Sequence, residues 1–276
     1  VYAPWPDMEG YLRSRGIPLS SLESGTPLNR FDVVGFSLQY ELSCTNVPAM
    51  LDLGGIPLRA ANRRDEDPLI IAGGPCASNP EPLALFFDAF VIGEGEEVIV
   101  DIAQAVARGK LKGLKRRELL EILSAIEGVY VPSLHKNRFV IKRRVIADLD
   151  EAFVPENPVI PLIKTIHDRI TLEIARGCTR GCRFCQAGMV WRPYRERDPR
   201  LIMKQAEQLL QTTGYDEISL LALSAGDYSC IGRLVAGLMD CYADRHVALG
   251  LPSLRTETLT TSLIEQIKRV RKTSFT

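Results

Sequence analysis

Short apolar segments alternate with amphipathic ones along most of this 276-residue chain, and the alternation constrains the fold more than any other feature. In the first half, the apolar segments are FDVVGFSL (31–38), PLIIAGG (68–74) and FDAFVIGEGE (87–96). Helical spacing of apolar residues follows at 46–53 and at 96–109, where Gly109 is the predicted helix end. Buried strands separated by helices predict an α/β fold with an open parallel sheet.

A second series of strands and helices begins at residue 169 with RITLEIARG and continues with EISLLAL (217–223) and HVALGL (246–251). The helix signals are an Asp198–Pro199 start, Gly214 as a stop, an apolar stripe over 231–242, and a capping box of Ser262 with Glu265. Three βα units are too few to close a barrel, and we expect a fourth strand to begin at KTSFT (272–276). The pattern therefore predicts part of a barrel in a fragment of a larger protein.

The segment 129–168 separates the two series. VYVPSL and RFVIKRRVI predict a β-hairpin, and three prolines mark a connector after it. We expect an α/β domain over 1–128, a hairpin and linker over 129–168, and the first half of a barrel over 169–276.

Composition argues against several classes of protein. Lys plus Arg and Asp plus Glu both number 34, so no overall charge favours nucleic acid or a membrane surface as a partner. There is no run of apolar residues long enough to predict a membrane span. The seven cysteines do not form a dense paired framework, which favours a reducing, cytoplasmic setting.

Three of these cysteines lie close together in RGCTRGCRFCQAG (176–188), directly after a predicted strand. Cys178, Cys182 and Cys185 can converge on one centre, because three glycines in the segment permit a tight backbone. Thiolates select zinc or iron–sulfur centres, and a closed structural zinc site needs a fourth ligand that is not found nearby. Three ligands with an open fourth position suit chemistry, while structural zinc and a redox dithiol are the alternatives.

The spacing C-x3-C-x2-C, with Phe184 before the last cysteine, resembles that of the radical S-adenosylmethionine (SAM) enzymes. LLALSAGDYSCI, LPSLRTE, AGGP and GEGEE extend the likeness to radical SAM proteins with an N-terminal cobalamin-binding-like domain. This resemblance implies a partial flavodoxin-like, cobalamin-binding-type parallel sheet followed by a partial radical SAM (β/α) barrel, both truncated. VYAPWP is similar to the second strand of such a sheet, so the first strand is expected to be missing.

The resemblance also implies cofactors and site residues. A 4Fe–4S cluster would be held by Cys178, Cys182 and Cys185, and an electron donor such as flavodoxin or ferredoxin would drive cleavage of SAM to a 5′-deoxyadenosyl radical. The implied SAM contacts are Phe184, Ser224, Gly226, Asp227, Ser253 and Arg255. SAGDY departs from the usual Gly-Gly-Glu, and the alternatives are a helix-capping turn for Asp227 and an exposed loop arginine for Arg255.

Cobalamin is implied as a second cofactor. The candidate contacts fall at the carboxyl ends of predicted strands, and they are Gly73, Gly74, Gly93, Glu94 and Gly95. The Asp-x-His-x-x-Gly motif is missing, so cobalamin would bind without a protein histidine beneath cobalt. A cobalamin-like fold that holds no cobalamin is the alternative.

These observations predict a radical SAM enzyme, with cobalamin assisting, for example in methyl transfer. A methylthiotransferase acting on RNA or protein is one alternative, although such enzymes carry three further N-terminal cysteines where this chain has Cys44 and Cys76. A non-enzymatic, zinc-stabilised α/β binding module is another. The arginines around the motif permit RNA binding, but the zero net charge favours a supporting role beside a negative cluster. No motif specifies the substrate.

Overall fold

The structure, a computed structural model, describes residues 1–135 and 140–270. Its chain divides into two compact units, Val1–Ile146 and Ala147–Thr276. Each unit has its own core of buried apolar residues. The predicted α/β class with parallel sheets is confirmed in both units.

The first unit contains a four-stranded sheet. Its elements are α1 (Pro6–Arg15), β1 (Val33–Ser37), α2 (Asn46–Leu53), β2 (Leu69–Gly73), β3 (Ala89–Val91), α3 (Gly95–Leu111), α4 (Arg116–Ser124) and β4 (Val129–Tyr130). The strands stand in the order β1-β2-β3-β4, with the first three parallel and β4 antiparallel to β3. Most of β2 and all of β3 are buried, as the continuous apolar runs predict.

The second unit begins a parallel βα series. Its elements are β5 (Ile170–Glu173), β6 (Ala175–Arg176), α5 (Ala187–Val190), β7 (Arg195–Glu196), α6 (Pro199–Thr213), β8 (Glu217–Leu221), α7 (Ile231–Tyr242), β9 (Ala248–Gly250) and α8 (Thr261–Ile267). Strands β5, β8 and β9 form one parallel sheet, so the loops after them lie at the same edge. The predicted bounds of α6 are confirmed: Asp198 accepts from the backbone N–H of Arg200, and Gly214 ends the helix at φ 71°.

Two predicted helix signals are wrong. Gly109 lies inside α3, where a Cβ would be 2.1 Å from a side-chain carbon of Leu119; glycine there permits α3 to pack on α4. The Ser262–Glu265 capping box is displaced, because the hydroxyl of Thr260 accepts from the N–H of Leu263 and is the N-cap of α8.

The extended segments differ from prediction in three places. VYAPWP forms no strand, since Pro6 opens α1 and a proline at the first helical position favours a helix start. RITLEIARG divides between β5 and β6, which belong to different sheets. Val129–Tyr130 pairs with β3 instead of forming the predicted hairpin with RFVIKRRVI (138–146). The latter segment begins outside the described residues, and its Arg144 forms an isolated parallel β-bridge with Gly93.

The predicted fourth barrel strand at 272–276 also lies outside the described residues. Among the helices of the described ranges, none has the length and apolar character required to cross a membrane.

Candidate functional site

The cysteine loop, residues 177–194, leaves β6 and returns through β7, its antiparallel partner. Gly177 opens the loop at φ 89°, and a Cβ there would be 2.7 Å from the carbonyl oxygens of Trp191 and Pro193. A side chain at this position would push the two ends of the loop apart. The glycine therefore sets how closely the loop closes.

All three predicted cluster ligands lie on this loop as half-buried free thiols. The N–H of Arg180 donates to Sγ of Cys178 at 3.4 Å, and the N–H of Cys185 donates to the carbonyl oxygen of Cys182 at 3.1 Å. A second hydrogen bond to sulfur comes from Arg255, whose Nη1 is 3.7 Å from Sγ of Cys182. N–H donors directed at sulfur stabilise thiolates and tune the centres that thiolates hold.

The donor set fits an iron–sulfur cluster. Within the described ranges, no three Cys, His, Asp or Glu side chains are gathered closely enough to hold one metal ion. A 4Fe–4S cluster does not require that convergence, because each thiolate binds a different iron. Soft thiolates that receive N–H bonds are suited to such a cluster.

The segment after β8 faces the cysteine loop. Ser224 is buried, and its hydroxyl donates to Oδ2 of Asp227 at 2.8 Å. The N–H of Ala225 donates to the carbonyl oxygen of Ser253 at 2.8 Å, which joins the loops after β8 and β9. A Cβ on Gly226 would lie 2.0 Å from the hydroxyl oxygen of Thr258, so glycine is needed for this junction.

Arg180 joins the cysteine loop to this segment. Its Nε donates to Oδ2 of Asp227 at 2.9 Å, and its Nη2 contacts Oδ1 of the same carboxylate. The hydrogen bond from Arg180 lowers the pKa of Asp227 to about 2, while the side chain of Asp227 is only 12% exposed. The carboxylate is therefore fixed in its charged form.

The other predicted SAM residues differ in exposure. Arg255 is half-buried at the end of the loop after β9 and also pairs with Glu257 at 2.5 Å. Phe184 is 92% exposed, so its ring is available to a ligand at the surface of the loop. The structure thus places Arg255 in direct contact with a cysteine of the loop. Asp227 is connected to the same loop through Arg180, and Ser224 is connected through Asp227.

A second link between the loops had no signal in the sequence. The carboxylate of Glu196 accepts from the N–H of Ser229 at 2.8 Å, from its hydroxyl, and from the hydroxyl of Tyr194 at 2.7 Å. Burial, followed by the bond to Glu196, raises the pKa of Tyr194. Tyr228 adds a third link through its hydroxyl, which donates to the carbonyl oxygen of Arg197 at 2.7 Å. These contacts depend on the pairing of β6 with β7, which local patterns do not reveal.

Most of the arginines around the motif have partners within the second unit. Those with a side-chain hydrogen bond are Arg176, Arg180, Arg192, Arg195, Arg197 and Arg200. Arg183 is exposed. Arg180 and Arg192 bond within or from the cysteine loop itself, while the preference for a supporting role over RNA binding stays a prediction.

The predicted cobalamin residues of the first unit lie at the carboxyl ends of two strands: Gly73 ends β2 and Gly74 follows it, while Gly93, Glu94 and Gly95 follow β3. Three of them, Gly74, Gly93 and Glu94, are in close contact with backbone atoms of the same unit. A Cβ added to Gly74 would lie 2.7 Å from the carbonyl oxygen of Leu38. A Cβ added to Gly93 would lie 2.1 Å from the carbonyl oxygen of Arg144. Glu94 is buried and accepts from the N–H of Ile146 at 2.7 Å.

Gly73 and Gly95 are less constrained. A Cβ on Gly73 would make only ordinary contact with Val91, and the space beside Gly95 is open. A cavity of about 1570 Å³ in the first unit is lined by neither of them; Arg63, Asp88 and Tyr130 are among the residues that line it.

Comparison with known proteins identifies the family. A model described as "Radical SAM proteins, N-terminal" matches residues 1–132, and one described as "Radical SAM superfamily" matches residues 172–275. The chain belongs to the radical SAM superfamily. The second match contains all three cysteines of the motif, while the first contains all four strands of the sheet in the first unit.

Relatives of this radical SAM protein are longer than the chain. An uncharacterized protein of Methanocaldococcus jannaschii is 27% identical over 261 residues, which are 93% of this chain and 52% of the relative. The anaerobic magnesium-protoporphyrin IX monomethyl ester cyclase of Rubrivivax gelatinosus is 26% identical over 180 residues, 62% of this chain and 31% of the cyclase.

A solved structure shares the fold. The radical SAM methyltransferase TsrM from Kitasatospora setae, with cobalamin and a [4Fe-4S] cluster bound, matches with a TM-score of 0.62 and 11% identity. The match covers 96% of this chain and 51% of TsrM. The chain therefore spans about half the length of this structure and of the Methanocaldococcus relative.

Proposed function

We propose that the protein is a radical SAM enzyme whose cluster ligands are Cys178, Cys182 and Cys185. The observation that carries the proposal is the placement of three half-buried thiols on one loop, with N–H donors directed at two of their sulfur atoms. Family membership supports the same reading, since the superfamily model covers this loop.

When bound, a 4Fe–4S cluster would supply the single electron that cleaves SAM to methionine and a 5′-deoxyadenosyl radical, which abstracts hydrogen from a substrate. The chain's own residues hold and orient the reactants. We assign SAM contacts to Phe184, Ser224, Gly226, Ser253 and Arg255, which follow the first three strands of the barrel. A small electron-transfer protein such as flavodoxin or ferredoxin is the proposed source of electrons, and a reducing cytoplasm is the proposed setting.

The test is anaerobic reconstitution of the full-length protein with iron and sulfide. We expect about four irons per chain and the absorption of a 4Fe–4S cluster. With a reductant and SAM, 5′-deoxyadenosine should form. Cys178→Ala, Cys182→Ala and Cys185→Ala should each remove both signals, whereas Cys241→Ala, at an exposed position of α7, should retain them. Zinc without iron in the reconstituted protein, or unchanged turnover in the three variants, would refute the assignment.

Cobalamin is the second proposed cofactor, and we place its binding site in the first unit. The support is the parallel sheet with glycines after β2 and β3 and the likeness of the fold to TsrM, whose structure contains cobalamin. Gly73 and Gly95 are the candidates for close contact, because the backbone beside them is open, whereas Gly74, Gly93 and Glu94 already support the unit. Reconstitution with hydroxocobalamin followed by gel filtration tests this: retained cobalamin absorbance supports the site, and its loss refutes it.

The methylthiotransferase alternative is not proposed. Those enzymes carry three further N-terminal cysteines, and the first unit contains only Cys44 and Cys76.

A further inference from the structure

Arg180 contacts both a cysteine of the loop and the segment after β8. Its backbone N–H bonds to Sγ of Cys178 at 3.4 Å, and its guanidinium forms a two-point contact with the carboxylate of Asp227. Both contacts come from one residue, so the pair with Asp227 tethers the stretch of loop whose N–H bonds to sulfur. Two-point arginine–carboxylate pairs fix orientation more firmly than single ion pairs.

Asp227, on the segment after β8, directs its carboxylate at this arginine. Its Oδ2 accepts from Nε of Arg180 and from the hydroxyl of Ser224, and its Oδ1 accepts from Nη2 of Arg180. Both oxygens are thus engaged by groups of the protein. Ser224 is itself buried, so one of the two partners of Asp227 is shielded from solvent.

We propose that Arg180 and Asp227 are positioning residues that clamp the cysteine loop in its ligand-presenting conformation, and that Asp227 acts through Arg180 rather than by accepting a hydrogen bond from the ammonium group of SAM. This reading explains the departure of SAGDY from Gly-Gly-Glu. A shorter acidic side chain reaches an arginine supplied by the loop itself, and the sequence between the first two cysteines supplies that arginine.

The inference rests on the proposed function only in taking the three cysteines as cluster ligands. The test therefore uses the full-length protein without iron or SAM, and it measures the rate at which iodoacetamide alkylates each cysteine, by peptide mass spectrometry. The exposed thiol of Cys241 is the internal reference. The variants are Arg180→Met, Asp227→Asn and the double variant.

We expect Cys178 to be alkylated about fivefold faster, relative to Cys241, in each single variant, because the released loop exposes its thiols. The double variant should be no faster than the singles, since either change breaks the same clamp. Arg269→Met is the matched control: it removes another long-range pair of the second unit, with Asp240 at 2.6 Å, and should leave the rate unchanged. Circular dichroism melting checks the fold of every variant, and Arg180→Lys, which keeps the charge but loses the two-point contact, should give an intermediate rate.

Unchanged alkylation in Asp227→Asn and Arg180→Met would overturn the clamp. So would additive rates in the double variant. If Asp227→Asn leaves alkylation unchanged but weakens binding of SAM to the reconstituted protein, Asp227 contacts SAM directly. Failure of iron reconstitution in the unmodified protein is a separate result, which refutes the cluster and leaves the clamp measurement standing.

Discussion

Arg255 and Cys182 are 73 positions apart in the chain, yet Nη1 of the arginine lies 3.7 Å from Sγ of the cysteine. Arg255 belongs to the loop after β9, and its side chain is 40% exposed. The parallel order of β5, β8 and β9 brings the loops after these strands to one edge, and this pair is a direct contact between the first and third of those loops. A cation beside a thiolate ligand stabilises the additional negative charge that a reduced cluster carries.

Replacing Arg255 by Met is therefore expected to lower the reduction potential of the reconstituted cluster by roughly tens of millivolts, because the reduced state loses a nearby cation and a donor to sulfur. Redox titration followed by electron paramagnetic resonance measures the potential. Arg255→Lys should shift it less, since the charge remains. Arg200→Met is the control, because Arg200 is 92% exposed and pairs with Asp198 rather than with a cysteine. Equal shifts in the Arg255 and Arg200 variants would contradict the role given to Arg255.

Gly177 and Gly181 form a matched pair on the cysteine loop. Gly177 has a φ of 89° and no room for a side chain, whereas the space around Gly181 is open and its φ is not positive. Gly177→Ala is expected to destabilise the second unit by about 2 kcal/mol or more, because left-handed backbone strain adds to the clash with the returning chain. Gly181→Ala should change the free energy of unfolding by less than about 0.5 kcal/mol.

Urea unfolding of both variants measures the difference, and iron content after reconstitution gives an independent readout. Gly181→Ala is expected to retain its iron, and Gly177→Ala to lose most of it. Equal stability of the two variants would show that the loop tolerates a side chain at its first position.

Much of the fold follows from local pattern. Strands β2 and β3 are continuous apolar runs, and the bounds of α2, α6 and α7 follow from apolar spacing, an aspartate N-cap and a stop glycine. The three cysteines stand out because closely spaced thiols are typical of metal-binding and redox motifs. Local chemistry decides these features, so local sequence predicts them.

Features that depend on tertiary packing do not follow from local pattern. Gly109 resembles a helix stop, but it is required where α3 meets Leu119 of α4. The links from Glu196 to Ser229 and from Arg180 to Asp227 join residues 33 and 47 positions apart, and no periodic pattern predicts such pairs. The bond from the N–H of Ile146 to the carboxylate of Glu94 joins residues 52 positions apart and is equally invisible to local pattern.

Gly226 and Thr258 form a tight contact between the loops after β8 and β9. A Cβ on Gly226 would lie 2.6 Å from Cβ of Thr258, so Gly226→Ala is expected to destabilise the second unit by about 1–3 kcal/mol through overpacking. The double variant Gly226→Ala with Thr258→Gly should recover part of that loss, because the clashing atoms are removed. Gly232→Ala on α7, where the space is open, is the control and should stabilise the helix by up to about 1 kcal/mol. Thermal unfolding measures all three, and absence of recovery in the double variant would show that the clash with Thr258 is not the cause.

The lowered pKa of Asp227 predicts that the stability of the protein depends on pH. Its folded pKa is lowered to about 2, chiefly by the hydrogen bond from Arg180, compared with an ordinary value of 3.8. A carboxyl with a lowered folded pKa adds stability that is fully present above the unfolded pKa and is lost as pH falls towards the folded value. The difference in free energy of unfolding between the natural protein and Asp227→Asn should thus be constant from about pH 7 to about pH 5. It should shrink between about pH 4 and about pH 2. Urea unfolding across this range measures it, with Asp240→Asn as control: that carboxylate is 70% exposed, so its pair with Arg269 is screened by solvent and should give a smaller change. A difference between the natural protein and Asp227→Asn that does not vary with pH would show that the ion pair with Arg180 is not what stabilises the loop.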